Sequence, residues 1–318
     1  MIRTLLLASM VALAAAPAHA QRYPDRPVKL VAPIPPGGAG DMVARLLANA
    51  ASQELGQQVI VDNRPGATGN IGTTLVARSP ADGYTLLFCS IGNCAVNASL
   101  YANPGYKLLE DFRPVMLIGS SINVLTAGPD TGIDSLQTLI TRAKAGNISY
   151  ASSGVGASNH LGGELLKVSA GIPMLHVPYK GSGPAINDLL GGQVDVFFDN
   201  EPSILPFVRT GKVKALAVTG KTRSANLPDV PTLVELGYAD FVIEPWYAIA
   251  VPKDTPDDVV ARLSSALRAA LAQEKVQQTL RAAGITPAGG TPEQLDTLIR
   301  SEVTRWAQLI KQQNIQGN

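Results

Sequence analysis

At 318 residues the chain is long enough for about two domains. Its 26 Lys+Arg nearly match 25 Asp+Glu, and aromatics make up only 5%, so a nucleic-acid partner, a base-stacking surface and a charged membrane-binding face are all excluded as expectations. A hydrophobic content of 46% is ample for a packed core, and the 30 glycines and 23 prolines, spread throughout, mark tight connections instead of a disordered tail.

Arg3 precedes an apolar run, Leu5 to Ala16, followed by Pro17 and Ala18-His19-Ala20. A basic start, a short apolar stretch and small residues before the cut predict a secretory signal peptide over residues 1–20, cleaved after Ala20. The run is shorter than the roughly 20 residues of a spanning helix. Loss of Arg3 leaves a neutral, exported chain.

Beyond the leader, short β-branched runs alternate with helical patterns. Val28–Ala32, Gln58–Asp62 and Tyr84–Cys89 read as strands, with a helix over Asp41–Leu55 and part of another at Thr73–Ala77. The pattern restarts after Ser121. Strands are expected at Ile148–Ala151, Met174–Pro178, Val194–Phe198 and Ala215–Thr219. Helices are expected at Ser135–Lys144, Ser158–Ser169, Ala185–Gly191 and Ile204–Thr210. Pro256–Ala272 and Thr291–Gln313 read as two long closing helices, the last burying Leu295, Leu298, Ile299, Val303, Trp306, Leu309 and Ile310. Such alternation predicts an α/β fold of two lobes, each a mainly parallel sheet flanked by helices. Apolar stretches around Val115–Thr126 and Trp246–Val251 supply two hinge crossings. They place residues 27–124 and 249–318 in lobe 1 and 125–248 in lobe 2.

Three loops follow strands and open helices. Pro33-Ile34-Pro35-Pro36-Gly37-Gly38-Ala39-Gly40-Asp41 is the least ordinary: glycines let backbone approach a ligand, and free N–H groups at a helix start favour an anion. A glycine-rich turn with Asp41 near the helix cap reads the same segment without a ligand. Ser152-Ser153-Gly154-Val155-Gly156-Ala157-Ser158-Asn159-His160 and Tyr179-Lys180-Gly181-Ser182-Gly183-Pro184 repeat the theme, as ligand loops or as plain turns and caps. All three stand at the C-terminal ends of predicted strands, where open α/β sheets bind ligands. Three or four charge-assisted hydrogen bonds of about 1.5–3 kcal/mol each suffice for micromolar capture of a carboxylate, which needs about 8 kcal/mol.

Catalytic signals are weak. No G-x-S-x-G elbow occurs, and Gly220-Lys221-Thr222 lacks the first glycine of a phosphate loop, which falls at Ala215. His160 is a candidate base or a packed helix-start residue, and His176 a core or interlobe residue. Asp199 either accepts a hydrogen bond from ligand or water or caps the next turn. Cys89 and Cys94, five apart, either pair in an oxidising compartment or lie as two small buried hydrophobes. With only His160 and His176 beside them in the mature chain, no metal site and no cofactor is expected.

Tyr23-Pro24-Asp25-Arg26-Pro27, Pro35-Pro36-Gly37-Gly38, Asn63-Arg64-Pro65-Gly66-Ala67, Asp82-Gly83-Tyr84-Thr85-Leu86, His176-Val177-Pro178-Tyr179-Lys180-Gly181, Gly192-Gln193-Val194-Asp195 and Leu227-Pro228-Asp229-Val230-Pro231-Thr232 occur in this order. Together they make the chain resemble the Bug (TctC-like) receptors of tripartite tricarboxylate transporters over nearly its whole mature length. The resemblance implies a periplasmic-binding-protein (Venus flytrap) fold in the periplasm, closing on a small carboxylated solute. It also implies delivery to a two-subunit membrane permease. It carries the ligand contacts onto Pro36, Gly37, Gly38 and Asp41, onto Ser153, Gly154, Ser158, Asn159 and His160, and onto Gly181 and Ser182. Ser90-Ile91-Gly92-Asn93-Cys94 departs from the family pattern. It leaves its strand toward the cleft, which makes Ser90 a candidate contact for the distal end of the solute. The reading is a monomeric, non-catalytic receptor. Its rivals are a sensor subunit presenting its closed form to a sensor kinase ectodomain, and a secreted hydrolase or isomerase using His160 with Ser158 or Asp199.

Overall fold

A computed structural model describes residues 23–146, 148–313 and 315; the leader expected at 1–20 lies outside them. Two sheets organise these residues. The first contains β1 (Val28–Ala32), β2 (Val59–Asn63), β3 (Thr85–Ser90), β4 (Phe112–Ser120), β10 (Trp246–Pro252) and β11 (Thr286–Gly290), in the order β11-β4-β10-β3-β1-β2. The second contains β5 (Asn123–Ala127), β6 (Ser149–Ser152), β7 (Leu175–Pro178), β8 (Val196–Asn200) and β9 (Lys214–Val218), in the order β7-β6-β8-β5-β9. Four strands of the first and four of the second point one way; β10, β11 and β5 oppose them. Two of these three, β5 and β10, are the strands entered directly after a crossing between sheets, so the chain's passage from one sheet to the other is what makes each sheet mixed.

The crossings run side by side. Ser121 N–H donates to Pro245 O at 2.7 Å, and the Thr219 hydroxyl ties Ile243 O (2.6 Å) to the Asn123 N–H (2.8 Å). Val115–Thr126 spans the end of β4 in the first sheet and the start of β5 in the second.

Helices cover both faces. α1 (Ala39–Leu55) buries Val43, Ala44, Leu47, Ala51 and Leu55, spaced for one helical face, and packs on α9 (Asp257–Ala272). It stops at Gly56, whose φ of 70° no other residue adopts at low cost. The remaining helices, in chain order, are α2 (Asn70–Ala77), the short α3 (Asn97–Leu100) and α4 (Leu108–Asp111), α5 (Leu136–Ala145), α6 (Ser158–Ala170), α7 (Ser182–Leu190), α8 (Glu201–Arg209), α10 (Glu274–Ala282) and α11 (Pro292–Gln313). In α11, Leu295, Ile299, Trp306 and Ile310 are buried, and Leu298, Val303 and Leu309 pack more loosely on the same core. That helix lies against β4 and the turn Gly92–Val96, backing the cysteine segment. One apolar cluster draws on both sheets, and each sheet has a second cluster on its other face.

Several boundaries differ from the sequence reading. α7 begins at Ser182, not Ala185, and α8 at Glu201, not Ile204. In both cases a proline, Pro184 or Pro202, sits in the first turn, where its missing N–H costs nothing. The shift places Ser182 on the first turn of a helix. α10 escaped notice because only Val276 and Leu280 are buried along it. β11, Thr-Pro-Ala-Gly-Gly, has no alternation and is tolerated as an edge strand against β4.

Candidate ligand-binding site

The parallel strands β1, β2 and β3 end on one side of a cavity of about 670 Å³, and β6, β7 and β8 end on the other. Its walls are the loops at those strand ends, closed at the back by Pro245, Trp246 and Tyr247. Pro36, Gly37, Gly38, Ser90, Ser153, Gly154, Ser158, Gly181 and Ser182 are all on the wall. Asp41, Asn159, His160 and Asp199 are not; they stand behind it.

Asp41 is buried near the start of α1. It accepts the Gly37 N–H (3.0 Å), Arg45 Nε (3.0 Å) and Asn63 Nδ2 (2.9 Å). Burial pushes its carboxyl up, but those three donors together outweigh burial and hold it below the usual carboxylate range. The carboxylate thereby fixes Gly37, whose φ of 88° suits only glycine, on the cavity wall. Cβ atoms added at Gly37 or Gly38 would meet nothing within 4 Å, so backbone is exposed to the cavity at these positions. The Ala39 N–H donates across the cleft to Ser203 Oγ at 3.2 Å.

At the end of β3, Ser90 N–H and Oγ both donate to Asn93 Oδ1 (2.8 and 2.9 Å). Cys89 and Cys94 are bonded across this turn, with Cα atoms 5.5 Å apart. Ile91 and Phe88 add apolar wall, and Phe88 stacks on Tyr247 with ring centroids 5.7 Å apart.

On the second wall, Asn159 Oδ1 accepts the Ser153 N–H (3.0 Å), and its Nδ2 donates to Ser153 Oγ (3.0 Å). His160 Nδ1 accepts the Gly156 N–H (3.1 Å), while its ring stacks on His176 at 4.2 Å and His176 stacks on Tyr150 at 4.9 Å. His176 Nε2 is 2.6 Å from Ser152 Oγ. Burial pushes both imidazoles down, His160 to about 4 and His176 to about 3, so both are neutral braces of this loop. Ser158 Oγ donates to Asn123 Oδ1 (3.4 Å), and His160 has its hydrogen bond with Gly156, so no Ser158–His160 pair forms. Asp199, wholly buried, accepts the Ser182 hydroxyl at 2.7 Å; burial pushes its carboxyl up to about 7, offset in part by Ser182, the Asn200 N–H and Asn159.

Lys180, exposed, is the one charged residue on the described wall. Among the described residues no group of three or more His, Cys, Asp or Glu is placed to hold a metal, and no helix is long and apolar enough to cross a membrane. The sequence reading missed the β2 loop. Pro65–Gly69 forms wall, and Thr68, with a left-handed backbone (φ 52°), donates its hydroxyl across the cleft to Val155 O at 2.7 Å. The signal was present: Pro65-Gly66 follows a parallel strand just as the recognised loops do. Phe88, Trp246 and Tyr247 were likewise missed, because nothing in a buried strand pattern separates a wall ring from a core ring; Tyr179 opens a recognised loop and is on the wall.

Two helix-flanked sheets joined by two crossings, with strand-end loops facing one another across a cavity, define a two-lobed solute-binding protein. The sequence pattern of the tripartite tricarboxylate transporter family receptors matches residues 43–315, and the chain belongs to that family. It is 42% identical over 301 residues to the protein BugT of Bordetella pertussis, covering 94% of this chain and 92% of that one. The structure of the periplasmic binding protein BugD superposes with a TM-score of 0.88 at 39% identity, over 92% of this chain and 99% of the other. An R. palustris protein solved with adipate superposes with a TM-score of 0.88 at 35% identity, over 92% and 98%.

Proposed function

We propose that the chain is a periplasmic receptor that traps a small carboxylated solute between two lobes and hands it unchanged to a tripartite tricarboxylate-type permease; β5 from Asn123 and β10 from Trp246 move the lobe boundaries expected at 124 and 249 to the crossings before these strands. The observation that carries this is the convergence of three helix starts, α1, α6 and α7, on one cavity whose wall holds backbone amides and serine hydroxyls but no carboxylate. Helix N-termini offer unpaired N–H groups and a positive dipole end to an anion. The amides of Gly38, Ser158 and Ser182 are the proposed carboxylate donors; Pro36, which has no N–H, and Gly37, Ser153, Gly154 and Gly181, whose N–H groups are bonded within the loops, shape the wall around them. Asp41, Asn159 and His160 act through them by fixing loop geometry. Ile34, Phe88, Ile91 and Tyr247 offer apolar wall for the carbon body, and Ser90 stands where that body ends. Adipate bound to the R. palustris relative supports an acid of this size.

A thermal-shift panel of adipate, malate, citrate, glutamate and benzoate on the mature chain tests the proposal. At a hundredfold excess over Kd, the preferred acid is expected to stabilise the fold by about 2.7 kcal/mol, and to be recovered chemically intact. No stabilisation by any acid, or conversion of the bound one, would overturn it.

A further inference from the structure

Ser182 is on the cavity wall, yet its hydroxyl hydrogen is committed to Asp199 Oδ1 at 2.7 Å. A serine hydroxyl has one hydrogen and two lone pairs. While that hydrogen points at Asp199, only lone pairs remain for the cavity, and lone pairs repel an anion. Asp199 is 0% exposed, and its second oxygen, Oδ2, has no hydrogen-bond partner. A buried carboxylate with an idle oxygen behind an anion site is the wrong polarity for capturing an acid, unless its proton count changes.

We infer that Asp199 is the proton receiver of this site: as a solute carboxylate reaches Ser182, Asp199 takes and keeps one proton from solvent, its new O–H hydrogen-bonds to Ser182 Oγ, and the serine turns its own hydrogen to the solute. An O–H bond forms on Asp199, a hydronium or buffer acid loses that proton, and the acid is captured as its anion together with one proton. The inference rests on the carboxylate-receptor reading of the cavity.

The surroundings agree. Burial already brings Asp199 to titrate at about 7, so a proton is held or released near neutrality. From α6 it faces the uncharged Asn159, with His160 beyond, kept neutral by burial. The loop before α7 contributes Lys180, which is exposed. From β10 comes the Tyr247 phenol, whose ionisation the carboxylate opposes. Glu201, two residues along its own chain, is occupied by Ser224 and Asn226. None of the ion pairs among the described residues involves Asp199. An anion arriving at Ser182 therefore meets no fixed countercharge at Asp199: Lys180 stands on the wall but is exposed, and a proton is what neutralises the buried carboxylate itself.

Calorimetry of the mature chain with adipate, and with any other acid of the panel that binds, in phosphate and in Tris at pH 7.5 counts the protons. Uptake of roughly 0.7 proton is expected, since a group titrating near 7 is about three-quarters ionised there. Affinity is expected to fall toward about tenfold per pH unit above pH 7. In Asp199→Asn the amide donates to Ser182 in the proton's place. That variant should take up no proton, show a flat pH profile and bind more tightly than the wild type at pH 8. Binding without buffer dependence in the wild type overturns the inference by itself, whether or not the variant folds, and so does an Asn variant that keeps the slope. If no acid binds at all, the receptor reading falls and this inference with it.

Discussion

On the side of the first sheet, Gly37 is held by an ionised pair: Asp41 keeps its charge through Arg45 and Asn63, and the pair sits within hydrogen-bond reach of the loop it braces. On the side of the second sheet, the same kind of loop is held by neutral groups: a stacked imidazole pair, an asparagine, and a carboxyl that burial moves to about 7. The first wall thus keeps its charge across the range where Asp199, behind the second, titrates. A cleft built this way has one fixed jaw and one whose electrostatics follow pH, and variants on each side test the division.

The largest expected effect is on stability against pH. Burial brings His160 and His176 in the folded chain down to about 4 and about 3, below the ordinary 6.5 of a free imidazole. Between about 4 and 6.5 the unfolded chain binds more protons than the folded one, so their contribution rises with pH in that window and is lost as pH falls. Asp199 runs the other way. Its folded value of about 7 lies above 3.8, so the folded chain holds the extra proton and stability falls as pH rises from 3.8 to 7. The slopes oppose each other over one window, but two imidazoles act against one carboxyl, so the wild type should still lose stability, by about 1–2 kcal/mol from pH 7 to pH 4.5. Removing the carboxyl in Asp199→Asn should leave the imidazoles unopposed: urea unfolding is expected to show a loss on the order of 4 kcal/mol over the same range, the half-buried His176 counting for less than a full share. If the variant loses no more than the wild type, the neutral-brace account of the second wall fails.

Substitution on each wall in turn gives the next effect. Gly38 has φ −90° and ψ 178°, a conformation valine accepts, and open space where a Cβ would stand. Gly38→Val should therefore fold normally, within about 0.5 kcal/mol, yet weaken acid binding about 100-fold, or roughly 2.7 kcal/mol. Gly183 has the same open space on the second wall. Equal losses at both positions by calorimetry would mean that both jaws grip the solute. A loss at only one would assign the grip to that jaw.

Much of this arrangement was legible in the sequence because strand-end loops carry their own chemistry. Val28–Ala32 and Ser158 as helix start were read to the residue, since a β-branched run and a serine closing a glycine-rich loop are local signals. The starts of α7 and α8 were not, because Pro184 and Pro202 look like breakers until the helix direction is known. The cavity wall was read where glycine and serine marked it and missed where Phe88, Trp246 and Tyr247 formed it, since burial alone cannot say which side of a ring faces a void. The division into wall residues and the braces behind them was also out of reach. Asp41, Asn159, His160 and Asp199 follow the wall loops in sequence, and only their hydrogen bonds reveal that they face away from the cavity.

The smallest effect concerns the contact between the jaws. Thr68 pairs a left-handed backbone (φ 52°, ψ 37°) with a hydroxyl that reaches Val155 O at 2.7 Å and Tyr101 OH at 3.0 Å. A left-handed conformation costs a non-glycine residue about 1–2 kcal/mol, and one hydrogen bond returns about 1 kcal/mol. Thr68→Ala keeps the strain and loses the bond across the cleft; Thr68→Gly loses the same bond and relieves the strain. If the hydroxyl latches the closed form, both variants should bind the acid roughly fivefold more weakly, through faster dissociation in stopped flow. Gly should at the same time be the more stable of the two by about 1 kcal/mol in urea. Should affinity follow stability, so that Gly binds as well as the wild type and Ala alone weakens, the backbone turn and not the hydroxyl would be what holds the first jaw to the second.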